Sequence, residues 1–141
     1  MTHDPNCLFC RIVRGEIPAV QVFEDEDTIA FMDIFPASEG HALVIPKLHA
    51  ANLLEMPDDA LTAVHRSVRR LAAAMMRGLG PAGFQIRQFN GAEAGQTVFH
   101  YHVHVVPCYP GARPGLQRER VELQVIGREG ELPARQAREQ G

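Results

Sequence analysis

The stretch HYHVHVV, residues 100–106, places three histidines at alternate positions in an otherwise apolar run. Side chains two residues apart on a β-strand lie on the same face, about 6.5–7 Å from one another. The spacing therefore predicts a strand that carries His100, His102 and His104 on one face. Burying three imidazoles without polar partners costs free energy, so this face is expected to meet an anion, a metal ion or a cleft. The opposite face, directed to the core, would hold Tyr101, Val103 and Val105.

Two kinds of chemistry use such a histidine face. In the first, two or three of the imidazoles bind one catalytic zinc ion, whose bound water attacks the substrate. In the second, one neutral imidazole attacks an electrophile directly while its neighbours position the charges, because histidine is both neutral and nucleophilic near pH 7. The spacing by itself leaves both open.

The segments upstream of this strand predict a short helix followed by three strands. CLFCRIVRGEIP, residues 7–18, has apolar positions at helical spacing and stops at Gly15. Two apolar runs, 19–23 and 28–34, flank an acidic cluster and predict a β-hairpin. GHALVIPK, residues 40–47, supplies the third strand, which ends at a proline.

The central segments predict a long helix and two further strands. Residues 57–77 carry apolar side chains at three- and four-residue steps, with acidic residues in the first turn and Gly78 just beyond the end. GFQIRQFN, residues 83–90, alternates as a fourth strand, and the loop NGAEAGQT leads into a fifth over 98–108. The order predicts an α+β domain with a five-stranded, mainly antiparallel sheet, one short N-terminal helix and one long helix.

Length and composition predict one main domain. The chain has 141 residues, of which 45% are hydrophobic, enough for one substantial core. We expect this domain to occupy residues 1–109. Residues 110–141 differ in composition from the rest of the chain and are predicted to be a C-terminal extension. Within it, QRERVELQVIG fits an added strand and LPARQAREQ a short helix.

Charge and hydropathy exclude several classes of partner. A formal net charge of −3 gives no basic field, so binding to duplex nucleic acid is not predicted. No run reaches the roughly 18 apolar residues of a membrane span, and the N-terminal residues lack the regions of a signal peptide. We therefore expect no membrane partner and a cytoplasmic location. In that reducing compartment, the pair Cys7 and Cys10 is more often metal-binding or redox-active than a structural disulfide.

The run of alternating histidines, preceded by AGQTVF, resembles the signature of the histidine triad superfamily of nucleotidyl hydrolases and transferases. CLFCRIVRGEIPA, AFMDI and GHALVIPKLH resemble the N-terminal blocks of that family in the same order, so the likeness spans about residues 7–107. It implies a homodimeric hydrolase that cleaves at the α-phosphate of a nucleotide conjugate, most simply an adenosine-type one, through a nucleotidyl-histidine intermediate. It implies no organic cofactor.

The resemblance also implies roles for the residues that handle phosphate. His102 matches the histidine that attacks phosphorus, and His41 and His104 match those that contact the phosphate. Gln96 and Thr97 match the polar pair that hydrogen-bonds the phosphate or the leaving group. Small residues in the preceding loop would let backbone N–H groups approach an anion closely.

Further positions match the nucleoside-binding part of the family site. Asp33 matches the acidic residue that takes the ribose hydroxyls, and Asn90 fits a supporting polar position nearby. The apolar walls of the base pocket would be Leu8, Phe9, Phe31 and Ile34. By composition alone, these four side chains fit an ordinary core equally well.

In bacterial members that resemble this chain, two cysteines and two histidines hold a structural zinc ion. The matching residues here are Cys7, Cys10, His49 and His100. Such a tetrahedron is closed, so the zinc would stabilise the fold and leave no position for a catalytic water. The alternatives for the two cysteines are a pair of reduced structural thiols or a redox pair. Cys108 stands where many relatives have arginine and lies outside this ligand pattern.

The substrate of the implied hydrolase stays open at the level of the sequence, and so do two alternative functions. The loop before the histidines resembles the dinucleoside polyphosphate hydrolases, whereas AFMDI and GHALVIPKLH resemble the nucleoside phosphoramidases. A nucleotide-binding regulatory or interaction protein with residual activity is one alternative class. A zinc-dependent hydrolase that uses the histidines as metal ligands is the other.

Overall fold

A five-stranded antiparallel sheet with one helix on each face forms the domain. The computed structural model describes residues 4–111, so the predicted extension lies almost wholly outside the described residues. The elements, in chain order, are α1 (Leu8–Val13), β1 (Gln21–Glu24), β2 (Thr28–Met32), β3 (Ala42–Pro46), α2 (Asp58–Leu79), β4 (Gly83–Arg87) and β5 (Val103–Cys108). Single 3-10 turns lie at Leu53–Glu55 and Ala92–Ala94. The strand order is β1-β2-β3-β5-β4, which confirms the predicted α+β class.

The long helix α2 follows its predicted amphipathic pattern. Asp58 and Asp59 lie in its first turn, where carboxylates interact favourably with the helix dipole. Gly80, with φ of 64°, ends the helix in the left-handed conformation that glycine adopts without strain. One stripe of the helix is buried, comprising Val64, Ser67, Val68, Leu71, Ala72 and Met75. Within residues 4–111, no helix has the length and apolar character needed to cross a membrane.

The central strand β3 is buried on both faces and so separates two apolar clusters. Ala42 and Val44 pack with α2, in what we call the α2 cluster. Leu43 and Ile45, which alternate with them, pack with α1 in the α1 cluster. Because side chains alternate along a strand, one uninterrupted apolar run serves both layers.

The last strand begins later than predicted. Residues 98–108 were expected to form it, but pairing with β3 and β4 starts only at Val103. The backbone before that point turns to a different partner: the Tyr101 N–H donates to the Ala50 carbonyl at 2.7 Å. Hence His100 and His102 lie in the approach to β5, and His104 alone of the three lies in the ladder. Tyr101, Val103 and Val105 still pack in the α2 cluster, so the predicted alternation of faces persists.

Candidate active site and metal cluster

The three histidines of the 100–106 run lie on the α1 side of the sheet and are divided between two groups of residues. His100 lies beside the thiols of the N-terminal segment, with its Nδ1 3.4 Å from Cys7 Sγ. His102 and His104 lie side by side, with ring centroids 5.0 Å apart. His104 in turn contacts His41, which precedes β3. All four imidazoles are at most 3% exposed.

His102 has one ring nitrogen fixed by the backbone. Its Nδ1 lies 2.7 Å from the carbonyl oxygen of His100, and a carbonyl only accepts, so Nδ1 carries the proton and donates. In the neutral ring the lone pair is then on Nε2, the form that a nucleophilic imidazole requires. The Phe9 and His102 rings pack edge-to-face, at a centroid distance of 5.1 Å. The role of His102 as nucleophile remains a prediction, and this geometry is compatible with it.

The backbone also fixes the tautomer of His41, and through it that of His104. The Ala37 N–H donates to His41 Nδ1 at 2.9 Å, so neutral His41 carries its proton on Nε2. That Nε2 lies 3.0 Å from His104 Nδ1 and donates to it. Neutral His104 therefore carries its own proton on Nε2, which makes that nitrogen a hydrogen-bond donor. The role of Ala37 could not be predicted from the sequence, because a backbone amide is not encoded by residue type.

Asp33 lies next to this histidine pair rather than at an open surface. Its side chain is 2% exposed, and its Oδ1 accepts from the Phe35 N–H at 2.9 Å. Its Oδ2 lies 3.5 Å from His41 Nε2 and 3.7 Å from His104 Nδ1. The predicted contact of Asp33 with ribose hydroxyls remains a prediction.

The side chain of Gln96 organises the loop before the histidines. It is 1% exposed, its Oε1 accepts from the Gly91 N–H at 2.8 Å, and its Nε2 donates to the carbonyls of Ala51 and Val98 at 2.6 and 3.0 Å. These bonds join both ends of the loop to the segment after β3. A direct contact of Gln96 with phosphate remains a prediction, and its amide already has these partners.

Thr97, the second member of the predicted polar pair, is placed differently. Its Oγ1 is buried, and no residue within 4–111 hydrogen-bonds to it. An unpaired buried hydroxyl is unusual and is satisfied by a bound ligand or water in most proteins. Thr97 is therefore better placed than Gln96 to hydrogen-bond a substrate.

The loop between β4 and the histidine run is tightly folded on itself. The N–H groups of Ala94 and Gln96 donate to the Gly91 carbonyl at 3.1 and 3.0 Å, and the Gly95 N–H donates to the Ala92 carbonyl at 3.0 Å. Gly91 and Gly95 have φ of 96° and 105°, which favours glycine at both positions. These three amides therefore serve the turn, and an approach of other loop amides to an anion remains a prediction.

The remaining predicted positions lie at the margins of the site. The Oδ1 of Asn90 accepts from the Leu53 N–H at 2.9 Å, which connects the loop to the 3-10 turn at Leu53–Glu55. Phe9, Phe31 and Ile34 are at most 1% exposed and belong to the α1 cluster, so they are core residues here. Leu8 is half-buried beside them. The base pocket that these side chains were expected to line remains a prediction.

The structure brings together all four predicted metal ligands. One ligand atom from each of Cys7, Cys10, His49 and His100 lies within 4.8 Å of the others. The sulfur-to-nitrogen distances are 3.4 Å for Cys7–His100, 3.3 Å for Cys10–His49 and 3.5 Å for Cys10–His100. Zinc bonded to sulfur at about 2.3 Å and to nitrogen at about 2.0 Å, at tetrahedral angles, would hold these atoms about 3.5 Å apart. The spacing of the cluster fits a zinc ion.

Proton positions in the cluster also suit a metal. His100 Nε2 donates to the Pro46 carbonyl at 2.8 Å, which leaves the lone pair of neutral His100 on Nδ1, facing both sulfurs. Burial raises the pKa of the Cys7 thiol to about 12, so a metal ion would have to displace the thiol proton.

A second group of potential ligands, Asp33, His41 and His104, also lies within 4.8 Å. It is a poor metal site, because His41 Nδ1 already accepts the Ala37 N–H. The ring proton must then be on Nε2, the atom that would have to bind the metal. The geometry therefore favours a metal at the cysteine-containing cluster over a catalytic zinc at these histidines.

This chain belongs to the HIT domain family, whose model matches residues 14–111. Among curated relatives, the chain is 43% identical over 104 residues to Protein hit from Bacillus subtilis, covering 74% of this chain and 72% of that protein. It is 42% identical over 102 residues to the adenosine 5'-monophosphoramidase hnt1 of Schizosaccharomyces pombe, covering 72% of this chain and 74% of that protein. It is 39% identical over 102 residues to Adenylylsulfatase HINT3 from Arabidopsis thaliana, covering 72% of this chain and 52% of that protein.

Solved structures agree with the fold. A HIT-like protein from Bartonella henselae superimposes with a TM-score of 0.77 at 38% identity, over 89% of this chain and 98% of that chain. A zinc-bound histidine triad family protein from Mycobacterium smegmatis superimposes with a TM-score of 0.75 at 37% identity, over 94% of both chains. Family members about 40% identical to this chain thus include nucleotide hydrolases, and one structural relative binds zinc.

Proposed function

We propose that this protein is a nucleotide hydrolase that cleaves at the α-phosphate of an adenosine conjugate through a nucleotidyl-histidine intermediate. The observation that carries the proposal is the hydrogen bond between His102 Nδ1 and the His100 carbonyl, which leaves the lone pair of the neutral ring on Nε2. A neutral imidazole of this tautomer, held by backbone and by the Phe9 ring, is prepared to attack phosphorus.

The reaction would proceed in two displacements. In the first, the lone pair of His102 Nε2 forms an N–P bond as the bond from phosphorus to the leaving group breaks with its electron pair, and the leaving group takes a proton from solvent. In the second, a water molecule attacks the same phosphorus and releases a proton to solvent, while the N–P bond breaks and its electron pair returns to Nε2. Histidine supports both halves because it is a good nucleophile and a good leaving group near neutral pH.

The neighbouring side chains would stabilise charge on the phosphoryl oxygens. His104 carries a donor at Nε2, held in that tautomer by His41, and the Thr97 hydroxyl is the second donor. Preorganised donors directed at developing negative charge are a major source of catalysis in phosphoryl transfer. Gln96 would keep the loop in place through its hydrogen bonds to Gly91, Ala51 and Val98.

The curated relatives support an adenylyl group as the part of the substrate that binds. Two of these relatives, an adenosine 5'-monophosphoramidase and an adenylylsulfatase, are named for different leaving groups on the same nucleotide. We therefore propose adenosine phosphoramidates as the first substrates to test, with dinucleoside polyphosphates as the second class.

Cys7, Cys10, His49 and His100 would hold a structural zinc ion. Four protein ligands complete a tetrahedron, so the ion would supply stability by joining α1 to the segments around β3 and β5 and would bind no reacting water. This proposal rests on the ligand spacing and on the Nδ1 lone pair of His100.

We also propose that the protein is a homodimer that forms through β4. This strand lies at one edge of the sheet, and its Phe84 and Ile86 are 44% and 46% exposed. Edge strands with exposed apolar side chains are usually covered by a partner. Leu79, in the last turn of α2, is 44% exposed as well.

Turnover of adenosine 5'-phosphoramidate and of a dinucleoside tetraphosphate by the purified protein tests the proposal. His102→Gln should lower kcat by about 10³-fold or more while the affinity for adenosine monophosphate stays within about threefold, because attack belongs to the transition state. Rapid quenching should trap a nucleotidyl group on His102, detected by mass spectrometry. The matched control is His65→Gln on α2, where the glutamine amide can replace the imidazole as the partner of the Tyr101 hydroxyl, so full turnover should be retained.

Two results would contradict the proposal. Full activity of His102→Gln would exclude His102 as the nucleophile. Tight nucleotide binding without turnover of either substrate would support the alternative class, a nucleotide-binding regulatory protein.

A further inference from the structure

The ring of Phe89 borders the candidate active site on its β4 side. Phe89 follows β4 in the chain, and its ring centroid lies 6.1 Å from that of His104. Because β5 lies between β3 and β4, His41, just before β3, and Phe89 contact His104 from opposite sides. Phe89 is half-buried, whereas the Phe9 ring that packs on His102 is fully buried. Phe89 is therefore an aromatic side chain that can contact both His104 and a bound ligand.

The β4 side of the site is the side that the predicted nucleoside-binding residues leave open. Phe31 lies on β2, and Asp33 and Ile34 follow that strand directly. In the sheet, β2 is separated from β5 by β3. A nucleotide with its nucleoside towards β2 and its α-phosphate at the histidines would extend its leaving group towards β4. The leaving group would then meet the Phe89 ring.

The loop beside Phe89 offers no cation to a charged leaving group. Among residues 88–96, the ionisable side chain is the exposed carboxylate of Glu93, which repels anions. The side-chain amides of Gln88 and Asn90 donate to each other's oxygens, at 2.9 and 2.8 Å, and three backbone amides of the loop serve its turn. Because proteins recognise phosphate chains chiefly through arginine, lysine and unpaired donors, this loop is chemically unsuited to further phosphates.

We propose that Phe89 selects the leaving group, so that the site favours adenylyl conjugates of uncharged amines over dinucleoside polyphosphates. The inference rests on the proposed function, because it assumes that the nucleotide lies across His102 and His104. An apolar ring removes water from a phosphate without replacing the lost hydrogen bonds, which costs affinity, whereas it packs favourably on an uncharged group. The ring is held against the loop backbone, since three of its atoms lie 3.5–3.9 Å from where a Cβ on Gly95 would be.

The kinetic test compares kcat/KM for adenosine 5'-phosphoramidate with kcat/KM for a dinucleoside tetraphosphate. The wild type should favour the phosphoramidate, and Phe89→Gln should lower this preference by about tenfold or more, because the glutamine amide can donate to a phosphate. The matched control is Phe23→Gln, the same change in a half-buried ring on the opposite edge strand, which should leave the preference unchanged. A ratio of two substrates is insensitive to partial loss of folded protein. A wild type that favours the tetraphosphate, or an unchanged ratio in Phe89→Gln, would overturn the proposal.

A binding measurement separates this inference from the proposed function. Calorimetry on the His102→Gln background, which does not depend on turnover, compares adenosine monophosphate with adenosine triphosphate. The triphosphate should bind about tenfold more weakly, and adding Phe89→Gln should reduce the difference to about threefold or less. If the wild type turns over neither substrate but these affinities behave as expected, the proposed function fails and the selective role of Phe89 stands. Equal affinities in the presence of Phe89 would contradict that role whatever the activity.

Arg87 provides a direct test of the opposite explanation, in which a cation binds the distal phosphates. It is the last residue of β4, and its Nε and Nη2 donate to Gln85 Oε1 at 3.1 and 2.8 Å. Arg87→Gln should change the ratio of the two affinities by less than about threefold. A selective loss of triphosphate affinity in this variant would show that the site recognises further phosphates, and it would overturn the proposal.

Discussion

The chemistry of each buried imidazole depends on what holds its second nitrogen. The Pro46 carbonyl fixes His100, the His100 carbonyl fixes His102, and the Ala37 amide fixes His41. Each partner is a backbone group, so each tautomer is set by the course of the chain. The ring nitrogens left with a lone pair face sulfur in His100 and, in the proposal, phosphorus in His102. His100 and His102 are two positions apart, yet the first would bind a metal ion and the second would attack phosphorus.

We predict that the Thr97 hydroxyl donates a hydrogen bond to the substrate, because it is buried and has no partner within residues 4–111. Thr97→Val should leave the melting temperature unchanged or slightly higher, because it removes a buried hydroxyl without a partner and keeps the shape of the side chain. It should lower kcat/KM for adenosine 5'-phosphoramidate by about 10²-fold, the usual cost of one donor to a transition state.

Thr62→Val is the control for this experiment. Its hydroxyl donates to the Asp58 carbonyl on the exposed part of α2, far along the chain from the histidine run. It should leave kcat/KM unchanged. If Thr97→Val also retains full kcat/KM, Thr97 does not contact the reacting phosphate.

The sequence predicted which side chains gather at the site better than it predicted what they contact. The four predicted metal ligands lie close together, and so do His41, His102 and His104, because residue type and spacing encode these groupings. The sequence did not indicate that Gln96 would hold its own loop or that Asp33 would be buried beside His41, since both depend on contacts that form only after folding. Ala37 and Pro46 act through backbone atoms and have no sequence signal at all.

At the level of elements, the proposed zinc site would join α1 to the sheet. We expect one zinc ion per chain by elemental analysis, and Cys10→Ser should abolish binding and lower the melting temperature, because the ligands hold segments far apart in the sequence. Cys108→Ser is the matched control, since this half-buried thiol lies outside the cluster. It should retain zinc and the wild-type melting temperature. A metal-free native protein, or loss of zinc in the control, would contradict the assignment.

We predict that Asp25, in the hairpin turn between β1 and β2, makes the stability of the protein depend on pH. Burial of Asp25 opposes its ionisation, but hydrogen bonds from Asp27, Thr28 and Ser67 outweigh burial and lower the pKa of this carboxyl below 3.8. A pKa lowered in the folded state stabilises the protein above the unfolded value, and this contribution is lost as the pH falls through the folded pKa. The turn should therefore weaken as the pH falls below about 4.

Urea unfolding of Asp25→Asn at two pH values tests this expectation. At pH 6 the variant should have a lower free energy of unfolding than the wild type, and at pH 3 the difference should be smaller. Asp27→Asn, whose side chain takes no part in these bonds, should show no such change with pH. A pH-independent difference for Asp25→Asn would show that charge is not the cause.

The start of β5 cannot be predicted from the alternation of apolar and polar residues alone. Alternation of apolar and polar residues over 98–108 is real, and the buried face is as predicted. Alternation reports only an extended backbone, however, and a strand also needs a partner in register. The ladder with β3 ends at the Val44–Val103 pair although β3 itself continues to Pro46, and the Tyr101 N–H donates to the Ala50 carbonyl instead. Pairing depends on the course of segments far away in the chain, which local sequence does not encode.

At the scale of the whole molecule, we expect a charge introduced at one edge of the sheet to prevent dimerisation and the same charge at the other edge to leave the dimer intact. Ile86 lies on β4 and is 46% exposed, whereas Val22 lies on the opposite edge strand, β1, and is 43% exposed. Their side chains are similar in type and exposure, but β4 also carries the exposed ring of Phe84.

If β4 forms the dimer, Ile86→Lys buries a charge in the interface and should give a monomer, because an unpaired buried charge costs several kcal/mol. Val22→Lys introduces the same charge at the other edge and should remain dimeric. Sedimentation velocity of the wild type and both variants distinguishes the outcomes: a monomeric wild type excludes the dimer, and a monomer from Val22→Lys alone would place the interface at β1.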